Sequence, residues 1–231
     1  MKSVKNQMSE SMTAGVLLAF TGGLTDAYTY ICRGNVFANA QTGNIVLLGI
    51  NAADGRWIKA LLYFIPIVSF VLGVVFSELI KKRFKESRTV HWRQIILGIE
   101  AAVLLGVGFI PSGKYDTLAN ISVAFMCSLQ VQSFRKIKGN AYATTMCTGN
   151  LRSAAENLLK YRQTGDQKLL FNSIQYYCVI LIFVFGAASG AWLTNIFGVK
   201  TIWAACISLT IVFMLMIKRP KEDYGECHCS E

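Results

Sequence analysis

Six apolar stretches dominate the chain, running over about 12–31, 58–80, 94–110, 118–134, 171–196 and 199–217. Each is close to the roughly 17 to 25 residues with which an α-helix crosses the hydrocarbon layer of a bilayer. Backbone in hydrocarbon must satisfy its own N–H and C=O groups, which restricts such segments to helices. The stretches leave only short connections and two polar ends among 231 residues, so the expectation is an all-α membrane protein with six transmembrane helices in a single membrane domain over 1–231. Composition agrees, with 53% hydrophobic and 16% charged residues and a mean hydropathy of +0.42.

A short phrase occurs twice. Gly34-Asn35-Val36-Phe37-Ala38 leads into Thr42-Gly43-Asn44, and Gly139-Asn140-Ala141-Tyr142-Ala143 leads into Thr148-Gly149-Asn150. Each copy follows a long apolar segment, which marks an internal duplication of a membrane-embedded unit. Cutting between the third and fourth segments gives repeat one over about 12–112 and repeat two over about 117–217, with tails 1–11 and 218–231. Three crossings per unit turn the second upside down, so two inverted three-helix repeats are expected. Phe70-Val71-Leu72-Gly73 and Phe183-Val184-Phe185-Gly186 hold similar places in the two halves.

Charge gives the same orientation independently. Only Arg33, Arg56, Lys59, Lys114 and Lys200 of the 23 Lys and Arg lie on one side of this topology, and the others gather on the opposite one. Basic residues accumulate in cytoplasmic loops, which puts both termini of a multi-pass membrane protein in the cytoplasm. The net charge of +10 is thus explained without nucleic acid, because the charges sit in separate short loops without interleaved aromatics. Lys2 and Lys5 before an apolar run, with Ala38-Asn39-Ala40 further on, imitate a signal peptide; the run is too long and contains Asp26, and cleavage would remove part of the duplication.

Thr-Gly-Asn suits a helix start, since Thr or Asn can cap free amides and Gly allows close approach. Short motif-bearing helices or re-entrant segments are therefore expected after helices one and four. The first, continuing apolar through 45–50, fits a half-helix dipping from the outer face with its amides toward a solute. The second carries Leu151, Ala154, Ala155, Leu158 and Leu159 on one face and Arg152, Glu156 and Lys160 on the other, as an amphipathic surface helix does.

Asp26 stands inside the first apolar segment, where a carboxylate is costly unless protonated, paired or facing water. The 105-residue offset between the Gly-Asn pairs sets it opposite Val131, between Gln130 and Gln132. The functional reading assigns solute contacts to Asp26, Thr42, Gly43, Asn44, Gln130, Gln132, Thr148, Gly149 and Asn150, and proton coupling to Asp26 and Glu100. The structural alternative satisfies Asp26 with Thr25 and Thr29. Glu78, near a span end, can reach the basic loop. Tyr28, Tyr30, Phe37 and Tyr142 line a cavity or anchor at the interface. Gly186-Ala187-Ala188-Ser189-Gly190 suits close helix packing, within a subunit or in a homo-oligomer.

Seven cysteines with no regular framework argue against disulfides. Cys227-His228-Cys229 offers three crowded ligands, short of a specific metal site. With His91 and His228 alone, and no phosphate loop or nucleophile triad, neither an enzyme nor a cofactor is expected.

Gly23-Leu24-Thr25-Asp26-Ala27 followed by Phe37-Ala38-Asn39-Ala40-Gln41-Thr42-Gly43-Asn44, with Leu129-Gln130 and Thr148-Gly149-Asn150 in the second half, resembles the YoaK-like family of small bacterial membrane proteins. The resemblance spans essentially the whole chain and implies about six helices and a small permease. A permease for an unidentified small polar solute or ion is the leading expectation. A channel of the same architecture, or a non-transporting scaffold or sensor, is the alternative.

Overall fold

The computed structural model describes residues 11–84, 91–137, 140–141 and 147–217. The lysines at 2 and 5, Gly139, Tyr142, Ala143 and the Cys227-His228-Cys229 tail lie outside them. The described chain is helical: α1 (Met12–Cys32), α2 (Gln41–Ala53), α3 (Trp57–Phe84), α4 (Trp92–Val107), α5 (Asp116–Ser133), α6 (Cys147–Thr164), α7 (Gln167–Phe197), a 3-10 turn (Gly198–Thr201) and α8 (Ile202–Ile217). A two-residue antiparallel ladder, β1 (Lys136–Ile137) with β2 (Asn140–Ala141), lies between α5 and α6.

Local chemistry sets the ends. Ser11 caps α1 by accepting the Ala14 amide at 3.2 Å, and Asp166 caps α7 by accepting Lys168 N–H at 2.9 Å. His91 and Gln94 form a reciprocal capping box at α4. Gly165 (φ 72°) and Gly198 (φ 55°) take left-handed conformations that end α6 and α7. Pro66 lies within α3, a position that membrane helices tolerate.

Side-chain contacts fix how the helices run. Leu18 of α1 meets Gln130 of α5, Thr25 meets Cys127 and Arg33 meets Asn120, so α1 and α5 are antiparallel. Cys206 donates to Ala101 O, and Trp203 to Leu105 O, so α4 and α8 are antiparallel as well. Gly186 abuts Phe20 and Gly190 abuts Leu24, which makes α1 and α7 parallel. Ser69 bonds Ile121 O and Ser77 bonds Ser133, which makes α3 and α5 parallel. The most extensive packing is α1 on α7 and α5 on α3, followed by α6 on α7 and α2 on α3.

The distribution of polarity is inverted relative to a water-soluble protein. Thr21, Asp26, Asn44, Ser77, Glu100, Ser128 and Gln130 are buried, whereas Leu72, Leu79, Leu181, Phe185, Trp192 and Ile207 are exposed. The two segments long and apolar enough to cross a membrane, Trp57–Phe84 and Gln167–Ile217, have only 28% and 33% of their most apolar windows buried. A core helix of a soluble protein would be mostly covered; an apolar exterior this extensive requires lipid.

Candidate functional site

After α1 the chain turns at Gly34 (φ 83°) and Asn35 (φ 59°), then runs back along the helix it has just left. The main-chain amide of Asn39 donates to Asp26 Oδ1 at 2.6 Å, and the amides of Ala38 and Ala40 also face that carboxylate. Asp26 lies six residues before the end of α1, about 9 Å at 1.5 Å per residue, so this segment re-enters the protein before α2 begins. The Asn39 side chain holds the fold-back, donating from Nδ2 to Gly22 O and to Thr25 Oγ1, both at 3.2 Å.

Thr-Gly-Asn starts a helix in both copies, one residue into α2 and into α6. Its Asn is a clamp in the first: Asn44 Oδ1 accepts Phe37 N–H at 3.0 Å while Nδ2 donates to Phe37 O at 2.7 Å and to Gln41 Oε1 at 2.9 Å. Neither Thr42 nor Asn44 caps α2, whose cap residue, Ala40, makes no side-chain bond. The carboxyl of Asp26 meets instead the amides of Ala38, Asn39 and Ala40, the residues that lead into α2. Gly43 lies under the Phe37 ring, where an added Cβ would come within 2.9 Å of Cδ2. Phe37 in turn stacks on Tyr30 at 4.8 Å. In the second copy Asn150 is buried and engaged, and Thr148 and Gly149 are exposed.

Thr25 and Thr29 do not serve Asp26. Their hydroxyls bond back to carbonyls of α1, those of Thr21, Gly22, Thr25 and Asp26. Gln130 crosses to α1 and donates to Leu18 O at 3.0 Å, whereas Gln132 turns away to α3, where its amide bonds Glu78. Glu78 also takes Lys81 at 3.0 Å. Asp26 and Gln130 therefore share the α1–α5 seam, and Gln132 stands apart from it.

Cys127 connects the rest. Its thiol is 3.8 Å from Thr25 Oγ1 and lies within the fields of both Asp26 and Glu100. Cys147, the first residue of α6, is also within the field of Asp26. Glu100 on α4 is fully buried, and neither carboxyl oxygen has a hydrogen-bond partner among the described residues.

Asn39, Cys127 and Arg33 were absent from the set derived by sequence reasoning. Arg33, fully buried at the end of α1, donates to Tyr28 Oη at 2.9 Å, Asp116 Oδ1 at 3.0 Å, and the carbonyls of Val107, Ile110 and Pro111. It ties α1 to the end of α4 and the start of α5. The Gly186–Gly190 face is used inside the chain, against α1.

Among the described residues no group of three or more His, Cys, Asp or Glu could hold a metal ion. No solved structure matches the chain. It is 24% identical over 221 residues to the UPF0700 transmembrane protein YoaK of Bacillus subtilis (strain 168), an alignment covering 91% of this chain and 94% of that protein. Residues 14–215 match the family described as Protein of unknown function (DUF1275). A transmembrane relative and an apolar exterior over a polar interior agree that this is a membrane protein, and the chain belongs to the DUF1275 family.

Proposed function

We propose that the chain is a small permease of the plasma membrane, six crossings long, in which two inverted halves enclose a polar centre at Asp26. Four helix pairs support the topology. Six successive crossings require α1 and α5 to be antiparallel, α4 and α8 likewise, α1 and α7 parallel, and α3 and α5 parallel; each pair runs as required. The offset of 105 that aligns the two Gly-Asn pairs also sets Phe20 on Phe125. Gly186 packs on the Phe20 carbonyl and Gly73 on the Phe125 carbonyl, so matched glycines of the two halves approach matched residues of the opposite half.

The observation that carries the functional reading is the buried carboxylate of Asp26, in the middle of the seam. The amides of a re-entrant loop lie on it, and the start of the second motif helix is in its field. Irregular backbone at membrane depth is tolerated where it is buried in protein or lines a water-filled path, and intramembrane acids commonly mark such paths, which favours the second case here. Asp26 is the coupling group in this reading, Glu100 a second proton site, and the loop around Asn39 the moving part. Both termini face the cytoplasm in this reading, which the excess of Lys and Arg in the loops on that side supports.

The test uses Ala40→Cys, an exposed position beside the Asp26 loop, in a background without native cysteines. A permease that alternates between sides leaves this cysteine open to a membrane-impermeant thiol reagent from the outside in intact cells and from the inside in inverted vesicles. Asp26→Asn shifts the ratio of the two rates. Reaction from one side alone, or from neither, refutes the permease and favours a scaffold; equal reaction from both sides, unmoved by Asp26→Asn, favours a channel.

A further inference from the structure

Three helix ends converge at the side of the bundle opposite Arg33. Ser77 of α3 bonds Ser133 of α5 at 3.0 Å, and the Gln132 amide of α5 reaches Glu78 of α3. The start of α4 is tied to both: Arg93 Nε donates to Ser133 O at 2.9 Å, and Trp92 and Ile96 share a buried cluster with Ile80 and Leu129. Lys81 Nζ stands 5.9 Å and Arg93 Cζ 5.2 Å from the centre of the same Trp92 ring, and the Phe134 ring lies 6.0 Å from that guanidinium. Cations from two helices are thus gathered at one aromatic side chain.

Charge at this end is one-sided. Segments 77–84, 92–96 and 131–137 carry Lys81, Lys82, Arg83, Arg93, Arg135 and Lys136 against one acid, Glu78. That carboxylate is already taken by Lys81 and Gln132. At the opposite end the arginines have acids of their own, Arg33 with Asp116 and Arg56 with Asp54. An anion is what the three converged ends lack. The surface beside them says which kind. Lys82 and Arg83 are exposed and continue, at spacings of three and four residues, the face of α3 that carries Leu72, Val75 and Leu79, all more than half exposed. A dissolved phosphate would use the cations alone, whereas a phospholipid uses both parts of this face.

We propose that the joined ends of α3, α4 and α5 hold an anionic phospholipid, its phosphate between Arg93 and the Lys82–Arg83 end of α3 and its acyl chains along Leu72, Val75 and Leu79. The guanidinium fork suits a phosphate because its N–H groups match two of the oxygens, and each basic residue near the headgroup adds to the attraction. The contacts of Arg93 with Ser133, Trp92 and Phe134 hold that fork in place before the lipid arrives. The assignment goes beyond the permease reading, since it needs a bilayer and not transport.

The test is native mass spectrometry of the full chain in detergent, titrated with phosphatidylglycerol or with phosphatidylcholine of the same acyl chains. The expectation is that phosphatidylglycerol is retained at least about tenfold more tightly, and that added salt weakens it while leaving phosphatidylcholine unmoved, a comparison that needs no variant. Lys82→Gln with Arg83→Gln removes about tenfold or more of the phosphatidylglycerol retention. Arg162→Gln with Lys168→Gln, at exposed positions of α6 and α7, removes the same charge and changes nothing. Equal retention of the two lipids, or equal loss in the two double variants, overturns the assignment, the latter by showing diffuse attraction instead of a site. Displacement of the lipid by glycerol 3-phosphate gives the cations to a soluble phosphate and overturns it too. Retention that appears only once residues 222–231, with Glu222, Asp223, Glu226 and Glu231, are removed assigns the face to that acidic segment and equally contradicts the proposal.

Discussion

At the scale of single residues, the side chains with most structural consequence hold backbone. Asn44 satisfies both the N–H and the C=O of Phe37, so Asn44→Ala strands two main-chain groups and should cost about 2–4 kcal/mol in denaturant unfolding from micelles, with Asn44→Asp recovering part. Arg33→Met removes a buried cation from Asp116, Tyr28 and three carbonyls, and a loss of about 3–5 kcal/mol is expected by the same measurement. His91 gives a pH dependence. Its Nδ1 accepts the Arg93 amide at 3.2 Å, which needs that nitrogen unprotonated, and burial, then the neighbouring Arg93 charge, lowers the imidazole pKa. A folded pKa below the unfolded one means that the cap contributes fully above about 6.5 and is lost as pH falls through the lower folded value. Amide exchange in the first turn of α4, corrected for intrinsic rate, should rise across that window in the wild type and stay flat in His91→Asn. Asp26 was legible in the sequence because a lone acid in an apolar run is conspicuous. Arg33 was not, since an arginine just past a span reads as an interfacial charge, and Asp116 becomes its partner only through folding.

At the scale of elements, the helices were largely readable and their mode of contact was not. The six apolar runs and the two Thr-Gly-Asn starts correspond to α1, α3, α4, α5, α7, α8 and to α2 and α6, because span length and helix-start chemistry are local properties. The half-helix expected of the first copy concerned 45–50, and the fold-back from Gly34 to Ala40 that precedes it was not foreseen. What drives it, the amide of Asn39 on Asp26, joins residues on separate elements that no helical period connects. Close packing gives a sharp prediction. A Cβ at Gly186 would stand 2.2 Å from Phe20 O and one at Gly23 2.0 Å from Phe183 O, both backbone atoms that cannot swing aside. Gly186→Ala and Gly23→Ala should therefore separate α1 from α7 and reduce folded yield severalfold by size-exclusion profile. Gly149→Ala, with nothing within 4 Å, should match the wild type.

At the scale of the whole molecule, polarity, duplication and charge converge on one account. The exterior is apolar over α3, α7 and α8 while Asp26, Gln130 and Glu100 are interior, an arrangement that only a bilayer stabilises. The repeated phrase is itself a feature of the sequence. The pairing of α1 with α7 and of α5 with α3 was not legible there, because it depends on which small residues meet across the seam, and Gly73, Ser128, Gly23 and Gly186 carry no mark of their partners. The central claim is that the halves are inverted, and the loops that follow the two motif helices test it most directly. Ala53→Cys, at the end of α2, and Gln163→Cys, near the end of α6, are both exposed and stand just before the loops in question. In cells carrying either variant in a cysteine-free background, an impermeant maleimide should label Ala53→Cys at once and Gln163→Cys only after permeabilisation. Labelling of both from the same side would contradict the account.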